Sequence, residues 1–382
     1  MNKHVSFVLI FLFISGTFVT TFSPVSVSAA VEDSWTTLTP MNQARSDLGV
    51  VAVDDKIYAI GGNLAFGVAT NSENNYVGTN ECYDSKSNTW TTLASMPTPR
   101  QGFAIAACEG KIYCIGGYGY NKESGLLDNL VVNEVYDIAS NSWSTKTPLT
   151  ISESNLQAHV VDEKIFIIVS RLLYVYDPVT DSWAQKTSLP KASDSDPDSY
   201  SAVIDNQIIV ITYFDEALRV LSYDPKTDKW SEVKQDRNTT NSSFGNAVAV
   251  ATLGHFAPQK IYVLSGGSTI FFNPISYIAA YDPSSGVWEQ VKEDPTPRLN
   301  FGVAVLDDVL YVIGGALLGT DGQIASSAVN AQYVPIGYNG PALSDSDSPA
   351  DNMVLVSALV GTTAGVVVAG VLLFIFKNKE KQ

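Results

Sequence analysis

Histidine, cysteine and methionine are scarce in this chain, at 3, 3 and 4 of 382 residues. The histidines are His4, His159 and His255, and none falls at metal-ligand spacing with another donor. No Ser-His-Asp order and no nucleophile elbow occurs. No catalytic residue, metal or cofactor is therefore expected. Cys82, Cys108 and Cys114 are odd in number, so they cannot all pair within one chain. Two readings stand for them: one disulfide with one free thiol, or three small buried hydrophobes inside strands. Basic residues are also few, with 23 Lys and Arg against 39 Asp and Glu and a net charge of -16. Such a chain repels phosphate backbones, which excludes nucleic acid as a partner. Only 16% of residues are charged, while 45% are hydrophobic and 10% aromatic, which suits a large core and excludes disorder.

Long apolar runs occur only at the two ends. Lys3 and His4 precede an apolar stretch from Val5 to about Thr20, which leads to Val27-Ser28-Ala29-Ala30. A basic start, an apolar segment and small residues before a cleavage point describe a signal peptide over residues 1–30. Met353 to Phe376 carries no charge and exceeds the roughly 20 residues needed to span a bilayer as a helix. Lys377, Lys379 and Lys381 follow it, placing the 377–382 tail in the cytoplasm and the preceding domain outside. Residues 337–352, rich in Gly, Pro, Ser and Asp, read as a flexible stalk. The expected location is a membrane, spanned once by the C-terminal helix.

Between the ends, the tryptophans Trp35, Trp90, Trp143, Trp183, Trp230 and Trp288 recur at separations of 55, 53, 40, 47 and 58. Tyr83, Tyr136, Tyr176, Tyr223 and Tyr281 are each followed by Asp, and each stands seven residues before a Trp. The segments between them, such as DPKTDKW, are turn formers, so each unit reads as a hairpin with Tyr and Trp on its two strands. A second hairpin lies upstream, as in AIAACEGKIYCIGG. It ends in a glycine pair at Gly61-Gly62, Gly116-Gly117, Gly266-Gly267 and Gly314-Gly315. Two hairpins per repeat predict a four-stranded blade, and repetition at about 50 residues predicts a propeller.

A glycine pair, then Tyr-Asp, then Trp, resembles the kelch repeat across residues 33–335. The resemblance implies an all-β fold, a six-bladed kelch-type β-propeller over residues 31–336. Blades three and four depart from the pattern, with Val169-Ser170 and Ile211-Thr212 where the glycines should stand. Trp35 has no Tyr-Asp before it, and Tyr333 has no Trp after it. The N-terminal strand SWTTL is therefore expected to complete the last blade and close the ring. Gly, Tyr and Trp recur once per blade and are assigned to structure: close strand approach for Gly, packing between blades for the aromatics.

Function is expected on loops, with the blades as scaffold. If strands run a-b-c-d, the b–c loops of blades five, six, one and two are long and share one face. They carry Phe66, Tyr76, Tyr118, Tyr120, Phe271, Phe272 and Tyr277. Arg45, Arg100 and Arg298 open strand a of blades one, two and six on the same side. Aromatics with Arg suit a protein or glycan ligand, and the competing reading pairs the arginines with structural acids. The alternative function, an exported sugar mutarotase or epimerase, rests on resemblance in blade count and export to kelch sialic-acid mutarotases. It would gain from a charged Glu/Arg cluster converging at the axial pocket. Asp194, Asp196 and Asp198 resemble a calcium loop but read better as a solvated acidic loop. Asn238 and Asn241 open N-glycosylation sequons.

Overall fold

Each Tyr–Trp unit folds as the turn chemistry dictates. In a computed structural model, residues 30–66, 72–190, 199–214, 217–233, 247–268, 273–319, 322–341 and 343 are described. Tyr83 lies opposite Trp90, Tyr136 opposite Trp143, Tyr176 opposite Trp183, Tyr223 opposite Trp230 and Tyr281 opposite Trp288. Their rings tilt together at 4.9–5.2 Å. In the turn, the carboxylate of the Asp after Tyr accepts backbone N–H groups two or three residues on, as Asp84 does from Lys86 and Ser87.

Among the described residues the hairpins assemble into six four-stranded antiparallel sheets. Sheet one comprises Gly49–Val53, Lys56–Ile60, Asn80–Asp84 and Thr89–Leu93, lettered a to d. Sheet two comprises Ala104–Cys108, Lys111–Ile115, Asn133–Asp137 and Ser142–Lys146. Sheet three comprises Gln157–Val161, Lys164–Val169, Leu172–Asp177 and Ser182–Lys186. Sheet four comprises Ser199–Ile204, Gln207–Phe214, Ala217–Asp224 and Lys229–Glu232. Sheet five comprises Ala247–Ala251, Ile261–Ser268, Asn273–Asp282 and Val287–Gln290. Sheet six draws Gly302–Leu306, Val309–Ile313 and Asn330–Val334 from one end of the domain and Ser34–Leu38 from the other. Trp35 thus pairs with Tyr333 at 5.2 Å between centroids, as the first strand's lack of its own Tyr-Asp requires.

The a strands follow one another in a cycle, with sheet six against sheet one. They line a channel of about 500 Å³. Between sheets the core is aromatic: Tyr83 meets Tyr311, Tyr136 meets Tyr58, Tyr176 meets Tyr113, Tyr223 meets Phe166 and Tyr333 meets Tyr262. In each case a c strand packs on the b strand of the sheet before it.

A second staple runs along the rim. The residue two before Trp adopts a positive φ in the c–d turn: Asn88, Asn141, Asp181, Asp228 and, before Trp35, Asp33. Its side-chain oxygen accepts the Tyr hydroxyl of its own sheet at 2.6–2.9 Å. The same oxygen accepts a backbone N–H from the preceding sheet at 2.9–3.0 Å, from Thr39, Ala94, Thr147, Thr187 and Lys292 in turn. The Trp indole N–H then donates to the carbonyl of that same residue. In sheet five the position is Gly286, which has no side-chain oxygen, and the buried Tyr281 hydroxyl has no partner among the described residues.

In sheets one, two and six the glycine pairs end strand b where the next sheet crowds in, and in sheet five the pair lies within strand b. A Cβ on Gly315, at φ +93°, would stand 2.7 Å from the Leu299 carbonyl, while its N–H donates to Arg45 across the closure of the cycle. Sheet three dispenses with the pair because its b and c strands are joined directly through Ser170 and Arg171. Sheet four runs its b and c strands straight past the corresponding positions.

Cys82, Cys108 and Cys114 are buried and unpaired, so the disulfide reading is set aside. Burial pushes the Cys114 thiol up to about 12, leaving it protonated and inert. Of the residues expected to open a stalk, Tyr338, Asn339 and Leu343 pack against the domain. Asn339 donates to the Phe256 carbonyl, the Tyr338 ring stands 6.3 Å from Phe256, and Tyr338 and Leu343 pack on the core between sheets six and one. Among the described residues no helix is long and apolar enough to cross a membrane. The expected signal peptide, apolar segment 353–376 and tail lie outside the described residues, as do the Asp194–Asp198 loop, Asn238 and Asn241.

Candidate functional site: the b–c end over sheets six, one and two

The b–c connections of three neighbouring sheets are built out into structure of their own. That of sheet one contains a short helical turn, Glu73–Asn75. That of sheet two is a hairpin, Tyr118–Asn121 with Leu126–Asn129, whose first strand pairs with Arg100–Gln101. That of sheet six is a hairpin of Ala316–Leu318 with Ile324–Ser326. Each carries an exposed leucine: Leu64 at 36%, Leu126 at 66% and Leu318 at 49%. Three large apolar side chains thus stand in water on neighbouring loops.

Of the aromatics expected here, Tyr76 and Tyr118 meet edge to face at 5.8 Å, joining the loops of sheets one and two. Tyr76 is buried by this contact, while Phe66, Tyr118 and Tyr120 are partly exposed. The Phe66 N–H faces the Ser326 hydroxyl at 3.4 Å, which ties sheet one to sheet six. Tyr277 sits in strand c of sheet five and packs on that sheet's core, so it belongs to the scaffold and not to the loop. Phe271 and Phe272 lie outside the described residues.

The arginines require a correction. Arg45, Arg100 and Arg298 are 0%, 0% and 1% exposed and do not open onto the face. Arg45 pairs with Glu81 at 2.6 Å and donates to the carbonyls of Gly61 and Thr79 at 2.7 and 3.0 Å. Arg100 pairs with Glu134 at 2.5 Å and donates to Cys114 and Thr98. Arg298 pairs with Asp294 at 2.7 Å and donates to Gly314 and Val329. A guanidinium has five donors and no way to lose its charge, so it satisfies several carbonyls at the crowded base of a b–c loop. Glu81 and Glu134 both stand two residues before the motif Tyr, a repeated acid that could have flagged the pairing from sequence.

Inward from the loops, a belt of backbone bonds rings the channel mouth. The N–H of Asp47 donates to Asn300, that of Gly102 to Asp47, and that of Asn155 to Gly102, at 2.8, 3.1 and 2.7 Å. All four residues have positive φ, and each stands two positions after Arg298, Arg45, Arg100 or the equivalent Glu153. Polar side chains fill the space above: Asn63 donates to Gln101 at 2.9 Å, and Ser326 donates to the Asn63 carbonyl at 2.9 Å. Asp47 is the one ionised side chain in the belt. Its carboxylate accepts from Asn300 Nδ2 and from Ser46 Oγ, and burial holds it well above the usual carboxylate range, at about 6.

Below the mouth, the channel is lined by Val50, Phe103, Ile105, Val248, Phe301 and similar residues, with one polar group on sheets three and four. There Ser201 donates to Gln157 Oε1 at 2.6 Å, which leaves His159 Nε2 to donate to Ser201 Oγ at 2.6 Å. Burial pushes His159 down to about 4, so it is neutral at pH 7.

Four-stranded antiparallel sheets, each with the Tyr–Trp pair and mostly with the glycine pair, following one another around a channel, define a kelch-repeat protein of the β-propeller kind. The chain belongs to the FKB95, Kelch-repeats domain family, whose model matches residues 26–257. It is 33% identical to alpha-scruin of Limulus polyphemus over 172 residues, 41% of this chain and 18% of that protein. It is 25% identical to Kelch-like protein 35 of Mus musculus over 227 residues, 58% of this chain and 37% of the other. It is 32% identical to a putative F-box/kelch-repeat protein of Arabidopsis thaliana over 207 residues, 52% of this chain and 50% of the other. The matches thus span half or less of these relatives. Among solved structures, that of YjhT superposes with a TM-score of 0.59 at 14% identity, covering 77% of this chain and 95% of the other, a likeness of fold.

Proposed function

We propose that the chain is a six-bladed kelch propeller, exported and held at a membrane by residues 353–376, that binds a protein partner at the b–c end of sheets six, one and two. The observation that carries this reading is that three adjacent built-out loops, tied together by the Tyr76–Tyr118 contact and the Phe66–Ser326 bond, each expose a leucine, Leu64, Leu126 or Leu318. Exposed leucines around a rigid aromatic pair, over a polar floor, have the composition of a protein-binding surface. Kelch repeats recur in the names of its relatives, which supports a scaffold role for the sheets. Residues 337–341 leave the domain over the a–b turns of sheets five and six, against Phe256 and Pro258. The b–c end, at the far end of every strand, is free of that connection.

The mutarotase alternative would gain from Arg and Glu converging on the channel. Arg45, Arg100 and Arg298 are instead engaged by acids inside their own sheets, and the channel wall is Val, Ala, Ile and Phe around Gln157, His159 and Ser201. Both considerations favour binding over turnover.

The test is a screen of the full chain against arrayed surface proteins, repeated with Leu126→Glu and Leu318→Glu at the b–c end and Leu253→Glu at the a–b end. Loss of the captured partner with the first two variants and retention with the third is expected. Equal loss with all three, or with none, overturns the assignment of the face. Protease treatment of intact cells carrying a C-terminal tag is expected to remove the propeller and spare a short tagged fragment. Full protection of the propeller contradicts the export and anchoring part alone.

A further inference from the structure

At the channel mouth one position repeats in four sheets with a single backbone demand: a left-handed conformation that sets its N–H or its carbonyl against the neighbouring sheet. Asn300, Gly102 and Asn155 meet that demand with neutral residues. Asn and Gly adopt positive φ readily, and Asp does so for the same steric reason. The negative charge of Asp47 is thus not required by the fold. Asp47 is partly exposed at the mouth. Asn300 Nδ2 and Ser46 Oγ donate to its carboxylate, and no basic residue among those described pairs with it, so the group is open to a cation arriving from outside. The nearest arginine in sequence, Arg45, directs its guanidinium the other way, to Glu81.

Resting on the b–c face proposed above, we infer that Asp47 is the anchor for a lysine or arginine side chain of the bound protein, which enters the channel mouth while neighbouring apolar residues of the partner cover Leu64, Leu126 and Leu318. The stem of such a side chain passes between the Tyr76–Tyr118 pair and the polar floor of Asn63, Gln101 and Ser326. Its charged end meets the Asp47 carboxylate, whose two existing donors keep the group oriented. The chain's net charge of -16 steers a basic partner segment toward the domain before this contact forms.

The test uses the full chain and labelled decapeptides of leucine, serine and glycine with one central residue varied: lysine, arginine, norleucine or glutamate. The basic peptides are expected to bind roughly tenfold or more tightly than the norleucine and glutamate peptides, and Asp47→Asn is expected to bring all four together. Asn occupies the equivalent place in sheets three and six, so this variant keeps the fold, and its melting temperature is measured alongside. Equal binding of all four peptides to the wild type, unchanged selectivity in Asp47→Asn, or no binding of the basic peptides at millimolar concentration each overturns the inference. Binding that survives Asp47→Asn but is lost with Tyr118→Ala and Leu126→Glu refutes the cation anchor and leaves the b–c face standing. Binding that survives all three variants refutes both.

Discussion

Replacing Arg100 by Met separates a scaffold arginine from a binding one. The guanidinium is fully buried, holds Glu134 at 2.5 Å and donates to the Cys114 and Thr98 carbonyls. Met matches much of its length but leaves Glu134 buried, keeping only the Thr98 hydroxyl and amide at 2.7 and 3.3 Å. Breaking one side of a buried ion pair costs about 3–5 kcal/mol. Replacing Glu134 by Gln in the same molecule removes the stranded charge and retains an acceptor for Thr98. The double variant should therefore recover about 1–2 kcal/mol of that loss. The assay is equilibrium urea unfolding followed by tryptophan fluorescence at pH 7.5. An Arg100→Met variant within about 1 kcal/mol of the wild type, or a double variant as unstable as the sum of the singles, refutes the argument that this residue is structural.

Three further outcomes follow from the same contacts. Gly286→Asn, at φ +74°, supplies the acceptor that the Tyr281 hydroxyl lacks and should stabilise the domain by about 1 kcal/mol in urea; no gain, together with a normal Tyr281 environment, counts against the rim staple. Asp47→Asn should raise stability by about 1–2 kcal/mol above pH 6. The sign follows from a folded-state value of about 6 against an ordinary 3.8: the native state holds its proton more tightly, so wild-type stability falls as pH rises through that window, and the variant's advantage disappears below about pH 4. A pH-independent difference would contradict this. Trp143→Ala, which loses the Tyr136 ring contact and the bond to the Ala94 carbonyl between sheets one and two, should cost about 3 kcal/mol, read from the unfolding midpoint, and an unchanged midpoint contradicts the staple.

Much of the fold was legible because its determinants are local or periodic. Seven residues from Tyr to Trp, filled with Asp, Pro and Ser, specify a tight hairpin whatever surrounds it. Alternating apolar strands specify the second hairpin, and the two orphaned half-motifs, Trp35 and Tyr333, specify each other across the chain. The long b–c loops and the Tyr76 and Tyr118 aromatics were also visible in sequence, since loop length needs no tertiary knowledge.

What only the tertiary structure decided was the company each polar group keeps. Arg45 and Arg100 look like surface anchors until Glu81 and Glu134, 36 and 34 residues along, are folded against them. The Asn or Asp two before Trp looks like a mere turn residue until the preceding sheet brings its N–H within reach. Asp47 is one acid among 39 in the sequence, and it stands out only when four sheets place equivalent residues side by side and three of them prove neutral. Turn and strand preferences act within a few residues. Burial of charge is settled by groups distant in sequence, because its cost depends on what replaces the water around it.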